Sequence, residues 1–277
     1  MQFQIKRDVL LKSLAVAHNI IERKNTLPIL SNVLLEIKNN KLNVVATDLD
    51  IVFFDEISDF KSEKEGSTTT SATVLYDILR KLPSNLEVMF TLQNENKLSI
   101  SAENSKFNLL CLPVDNFPNF KESFKSNGVN LDREKFLHLL NKTKISMSND
   151  ETRHYLNGIF IHLTESNQRS YLTGVATDSH RLSSSSIPIK NIENFKSFIL
   201  PKKTVFQLSN LLQDGENDVM LYSEDNKVQF KIGNSKIISK VIDGKFPDYE
   251  KVVPKNNNKI LTVNVKNFIH SIERVIT

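Results

Sequence analysis

The 277 residues carry 36 Lys plus Arg against 32 Asp plus Glu, with six His, one Cys, no Trp and seven Gly. At roughly 100 to 200 residues per domain the length accommodates about two domains, and a chain 39% hydrophobic and 25% charged is globular rather than disordered. Average usage would supply roughly 19 glycines; the seven present spell neither G-x-G-x-x-G nor a Walker loop, which removes the common nucleotide cradles.

Cys111 alone can close neither a disulfide nor a multi-thiolate metal site. The N-terminus has no apolar signal core, and no stretch reaches about 18 consecutive apolar residues. A cytoplasmic protein without cofactor, metal or membrane partner is expected. The net charge of +4 permits a polyanionic partner without requiring one.

In chain order, Leu10, Leu14, Ala17 and Ile21 recur at helical spacing, and Asn32 to Leu35 reads as a strand. A second helical stripe, Val74, Leu75, Ile78, Leu79 and Leu82, precedes two runs that alternate with period two: Leu86, Val88, Phe90, Leu92 and then Leu98, Ile100, Ala102. Residues 121–128 form a polar Lys/Ser/Asn/Gly joint. The pattern then starts again, with helical Phe136, Leu137 and Leu140, helical Val205, Leu208, Leu211 and Leu212, and alternating Val228, Phe230 and Ile232.

Six landmarks recur in the same order at an offset of about 125 to 132 residues. They are Val9–Leu14 with Lys135–Leu140, Asn32–Leu35 with Asn157–Phe160, Ala46-Thr47-Asp48 with Ala176-Thr177-Asp178, Thr73–Leu75 with Thr204–Phe206, Asn104–Lys106 with Asn234–Lys236, and Phe117–Phe120 with Phe246–Tyr249. The expectation is an α+β protein of tandem repeats, each with two amphipathic helices packed on antiparallel sheets, at 1–124 and 129–254. After a second polar joint at 255–259, alternating Leu261, Val263 and Val265 and the apolar positions from Phe268 to Ile276 repeat the opening. Residues 259–277 are therefore expected to begin a truncated third copy, because one strand and one helix cannot bury such a face alone.

Duplication separates scaffold from function. Asp48 and Asp178 occur in both copies and read as turn residues whose carboxylates satisfy backbone amides. His180-Arg181-Leu182 stand where the first copy has Asp50-Ile51-Val52, and Arg153-His154-Tyr155 where it has Pro28-Ile29-Leu30, so these are the candidates for function. Asp178-x-His180 has the residue types of a hydrolase, but no G-x-S-x-G elbow accompanies it, and the six histidines make no H-E-x-x-H. His162 reads as a structural strand residue and Cys111 as a small core hydrophobe. Lys6, Lys12, Arg80, Lys81, Lys135, Lys142, Lys202 and Lys203 lie opposite the apolar stripes, where they are either an ordinary solvated face or, if the helices share one side, a phosphate-reading stripe.

Five segments carry a resemblance: Thr26–Asn32, Ala46–Leu49, Tyr155–Gly158, Val175–Leu182 and Asp243–Tyr249. In this combination and order the chain resembles the bacterial DNA polymerase III beta subunits, the sliding clamps. The resemblance implies three copies of one domain per subunit and a head-to-tail homodimer ring around duplex DNA, with helices lining the hole. It implies a non-catalytic processivity factor that slides on DNA and tethers the polymerase III catalytic subunit, the clamp loader and other proteins bearing clamp-binding motifs.

Carried over by motif, Lys24, Asn149, Arg153, His154, Tyr155, Lys202, Lys203 and Lys251 are the implied DNA contacts. Leu156, Thr177, His180, Arg181, Leu182, Pro247 and Val252 are the implied partner-peptide pocket. Lys24 and Lys251 stand for frequent arginines, keeping the charge and losing the planar fork; Thr73 and Asn210 stand where clamps can carry Arg. For this chain alone, weak loading onto DNA is expected. The competing expectation is a stand-alone α+β peptide-binding scaffold with no DNA role.

Overall fold

The computed structural model describes residues 1–22, 27–94, 96–120, 124–190, 195–213 and 217–276. The first copy opens with β1 (Gln2–Lys6), α1 (Arg7–Ile20) and the meander β2 (Asn32–Lys38), β3 (Lys41–Thr47), β4 (Ile51–Ile57). After a short edge strand β5 (Lys61–Lys64) the same order returns as β6 (Gly66–Ser71), α2 (Ala72–Lys81), β7 (Glu87–Asn94), β8 (Lys97–Ala102) and β9 (Ser105–Leu112). The second copy is β10 (Val129–Leu131), α3 (Arg133–Thr143), β11 (Gly158–Ser166), β12 (Arg169–Thr177), β13 (Leu182–Ile189), followed by β14 (Phe198–Pro201), α4 (Lys202–Gln213), β15 (Val219–Ser223), β16 (Lys227–Ile232) and β17 (Ser235–Lys240). Each copy is thus itself a doubled unit of strand, helix and three-stranded meander.

The halves exchange their leading strands: β1 pairs with β7 and β6 with β2, and in the second copy β10 pairs with β15 and β14 with β11. In the first copy the two half-sheets join through only two residue pairs, Thr69 with Leu112 and Thr70 with Cys111. In the second copy β17 turns instead to β4, with Ser235 opposite Asp55 through Ser239 opposite Ile51. The result is one sheet in the order β10-β15-β16-β17-β4-β3-β2-β6-β9-β8-β7-β1-β5, spanning both copies, and a second sheet β13-β12-β11-β14.

The expected stripes account for the core. Leu10, Leu14, Ala17 and Ile20 of α1, Leu75 and Leu79 of α2, Phe136, Leu139 and Leu140 of α3, and Val205, Leu208 and Leu212 of α4 are buried. Phe136 stacks on Phe230 with ring centroids 5.8 Å apart. Val74, assigned to the apolar stripe from sequence, is exposed, because the helix phase is set by Leu75 and Leu79 and turns its neighbour outward. Helix α1 packs on α2 and α4, and α3 on α4, so the four form a row α2-α1-α4-α3 beside the sheets.

Two arginines fix helices to one another identically in kind. Arg7 Nε donates to the carbonyl of Leu79 at 2.7 Å, and Arg133 Nη1 donates to that of Leu212 at 2.6 Å. Each clamps the first helix of a copy to carbonyls in the last turn of the second, where the intrahelical ladder runs out.

Residues 1–244 form one compact unit and 245–277 another. The second contains the helix α5 (Val265–Glu273), whose Asn264 side chain accepts the amide of Asn267 at 3.2 Å. The alternating residues Leu261 and Val263 form no strand, and Phe268, Ile269 and Ile272 of α5 are exposed.

Candidate nucleic-acid and peptide interfaces

The turn after β3 and the turn after β12 are the same structure built twice. In the first, Thr47 Oγ1 accepts the amide of Leu49 at 2.9 Å and donates to the carbonyl of Ile51 at 2.9 Å, while Asp48 Oδ1 accepts the amides of Asp50 and Ile51 at 2.9 and 2.7 Å. In the second, Thr177, Asp178, Ser179, His180 and Arg181 reproduce each of these bonds at 2.7 to 3.1 Å. Leu49 and Ser179 both sit at positive φ, 77° and 78°, a conformation costly for any residue with a Cβ and held here by the surrounding bonds. Asp178 is therefore spent on structure: Oδ1 holds two amides and Oδ2 takes Arg181 Nε at 3.0 Å. The His180 and Arg181 amides hold its carboxyl below the usual carboxylate range. Its bonds go to the turn amides and Arg181 and not to the ring of the exposed His180, which a base–orienter pair would require.

This turn lies at one end of the four-stranded sheet, where β11 begins, β12 ends and β13 begins; Thr177 pairs with Leu182. A short 3-10 helix, Glu151–Leu156, arrives at the same end, and the carbonyl of Leu156 accepts the amide of Ser148 at 3.0 Å. Arg153, at a kink in that helix, bridges Asp150 Oδ2 at 2.8 Å and Ser179 Oγ at 2.7 Å. Asp150 is held at a pKa of about 2 by the hydroxyl and amide of Thr152 and then by Arg153. The amide of Lys202 donates to the carbonyl of Asn157 at 3.1 Å, which brings the start of α4 alongside, and Lys202 Nζ bonds the Asn149 side chain.

Asn149, Arg153, Lys202, Thr177, Arg181, Leu182 and Leu156 thus meet at this end. Leu156 is buried, Leu182 and Thr177 are half-buried, and Arg181 and His180 are exposed. The rings of exposed His154 and half-buried Tyr155 stand edge to face at 5.9 Å. Gly244 comes close to Tyr155, since a Cβ there would lie 3.3 Å from the Tyr155 Cβ.

Lys203 points elsewhere. Its ammonium contacts Asp48 Oδ2 at 2.5 Å and Glu22 Oε1 at 3.1 Å, both in the first copy. In the second unit, Pro247 and Val252 are exposed, and Lys251 Nζ pairs with Asp248 at 2.7 Å, lowering the carboxyl pKa and raising that of the ammonium. Lys24 lies outside the described residues. Of the stripe, Lys12, Arg80, Lys135 and Lys142 are exposed on α1, α2 and α3, with Arg80 paired to Asp77 and Lys135 to Asp132.

Sequence reasoning missed Asp150, Ser179 and Arg133. Arg133 was detectable, because it stands in the second copy where Arg7 stands in the first. Asp150 was detectable as well, as a capping acid two residues before Thr152 and three before Arg153, whereas Ser179 acts through a loop approach that no spacing encodes. Among the described residues no group of three or more His, Cys, Asp or Glu is placed to hold a metal ion, and no helix is long and apolar enough to cross a membrane.

A repeated α+β module joined by a sheet that crosses between copies, with its helices in one row, is the sliding-clamp fold. Residues 1–121 match the family model of the DNA polymerase III beta subunit N-terminal domain, and 130–248 that of its central domain. The chain belongs to the DNA polymerase III beta subunit family. It is 37% identical over 279 residues to the beta sliding clamp of Caulobacter vibrioides, covering 100% of this chain and 75% of that protein. To the Escherichia coli K12 beta sliding clamp it is 34% identical over 261 residues, covering 94% of this chain and 70% of that one.

Among solved structures, the C. crescentus beta sliding clamp superposes with a TM-score of 0.94 at 36% identity, over 99% of this chain and 73% of that one. A sliding clamp from Bartonella birtlesii bound to griselimycin superposes with a TM-score of 0.93 at 36% identity, over 99% and 73%.

Proposed function

We propose that this chain acts as a DNA sliding clamp that encircles duplex DNA, holds it by weak phosphate contacts and docks partners through a short peptide segment. The observation that carries the reading is the single row α2-α1-α4-α3 beside a sheet that passes from one copy into the next. Such a layer can face a polyanion over many base pairs, and contacts made by separate, flexible cations are independent of sequence. Repeats at 1–124 and 129–254, with 259–277 opening a third, fit this architecture. No step of it calls for a catalytic residue or cofactor.

Exposed strand edges support closure of a homodimer ring. Strand β4 receives β17, and the counterparts of these strands, β13 and β9, lie at the end of one sheet and at a seam where Leu110 is 84% exposed. We assign phosphate contact to Lys202, Asn149, Arg153, His154 and Tyr155, and partner-peptide contact to Leu156, Thr177, His180, Arg181 and Leu182. The assignments of Lys24, Pro247, Lys251 and Val252 rest on the resemblance alone. The partners that fit are the polymerase III catalytic subunit, the clamp loader and other proteins with clamp-binding motifs, in the cytoplasm.

Salt dependence tests the DNA role. Duplex binding should weaken steeply between 50 and 200 mM salt, and Lys202→Ala should lower the slope of log K against log salt by about one. A flat dependence would favour the peptide scaffold without a DNA role. For the peptide surface, Leu182→Ala should weaken binding of a clamp-binding-motif peptide by about fivefold or more; unchanged affinity would remove Leu182 from the site.

A further inference from the structure

We infer that Lys203 is a positioning residue of the joint between the two copies, closing an electrostatic clasp on the Asp48 turn, and is not a phosphate contact. The Asp48 side chain is only 6% exposed. Its Oδ1 is occupied by the amides of Asp50 and Ile51, which leaves Oδ2 as the oxygen needing a donor, and Lys203 supplies it from the first turn of α4. Glu22 takes a second side of the same ammonium. A cation two-thirds buried between two carboxylates has little capacity left for a phosphate.

The same turn is gripped a second time. Lys240 at the end of β17 donates its amide to the carbonyl of Asp50 at 2.9 Å and its Nζ to Asp50 Oδ1 at 2.9 Å. Two lysines of the second copy thus close on two aspartates of the first, where β4 and β17 pair. Nearby, Asp55 Oδ1 accepts Ser235 Oγ at 2.7 Å, and Gln207 Nε2 donates to the carbonyl of Asn19 at 3.2 Å, both across the joint.

Duplication shows that the clasp is not a demand of the fold. The first copy opens α2 with Ala72 and Thr73 and carries no cation there. The second copy keeps the turn but replaces Asp50 by His180, and Asp178 answers its own Arg181. The acidic turn receives the following copy; the modified turn cannot make that clasp and presents its His and Arg outward. Only the consequence for DNA rests on the clamp reading: a fixed joint sets how the helices of both copies face one duplex.

The two roles of Lys203 predict opposite effects at Asp48, measured on the whole chain by hydrogen exchange and by the salt slope of duplex binding. Asp48→Asn keeps an oxygen for the two turn amides and removes the charge. For a clasp, Asp48→Asn and Lys203→Met each accelerate exchange in 48–51 and 235–240 by about tenfold, the double variant adds little, and Lys203→Arg restores protection. The salt slope of Lys203→Met stays at the parent value, while Lys202→Ala lowers it.

Unchanged exchange in both single variants would overturn the proposal. So would a Lys203→Met slope reduced by about one together with tighter DNA binding by Asp48→Asn, the mark of a phosphate contact restrained by its neighbour. If Lys202→Ala leaves the slope unchanged while the exchange effects appear, the DNA reading fails and the clasp stands.

Discussion

Asp150 shows how one carboxylate organises the cluster at the end of the four-stranded sheet. It caps the 3-10 helix through the Thr152 amide and hydroxyl and holds Arg153, which in turn reaches Ser179. Its pKa falls from the ordinary 3.8 to about 2, so the folded state favours the charged form. The sign follows: the contribution is full above about pH 4 and is lost as pH falls toward 2. NMR titration should therefore find this carboxyl near 2, and Asp150→Asn should flatten the loss of stability over that interval; an ordinary titration would contradict the geometry.

At this scale the sequence was legible where copies could be compared. Asp48 and Asp178 were assigned to turns because they occur twice, and the bonds are the same in both. Grouping Lys203 with Lys202 overlooks that one residue along a helix rotates a side chain by about 100°, which carries its ammonium from the Asn149 cluster to the Asp48 turn.

Among elements, the strands and helices followed from period and from the repeat, whereas the halving within each copy did not. The two halves share an order of elements but only short matches in sequence, such as Val9, Leu10 and Leu14 with Val74, Leu75 and Leu79, and the exchange of leading strands is a long-range pairing. Glycine marks one place where the elements press closest. A Cβ on Gly158 would lie 2.2 Å from the carbonyl oxygen of Leu200, so Gly158→Ala must part β11 from β14 and should cost about 3 kcal/mol in urea unfolding. At the start of α3, Asp132 accepts the Lys135 amide at 2.9 Å, and Asp132→Ala should cost about 1 kcal/mol by the same measurement. The expected strand at Leu261 and Val263 did not form, because alternation supplies a face and not the neighbour against which a strand is made.

For the molecule as a whole, a sheet shared by both copies makes their folding one event. Calorimetry should find a single transition for residues 1–244, with calorimetric and van't Hoff enthalpies equal. Two separated transitions would mean that the β4 and β17 ladder does not transmit stability between copies. The copy plan was foreseeable from the repeated landmarks; the shared side of the helices stayed conditional on them, and the cationic end came from residues present in one copy only and from the resemblance. The exchange of strands and the pairing of β17 with β4 were not foreseeable, because they join residues distant in sequence, such as Gln2 with Thr91 and Ser235 with Asp55.

The two-pair seam between β6 and β9 carries the chain's single cysteine. Cys111 is 5% exposed, and burial pushes its thiol above the ordinary 9.0. A thiol-reactive dye should therefore modify the native protein only as fast as this seam parts, so the molecule contains its own chemical clock for the narrowest join in its architecture.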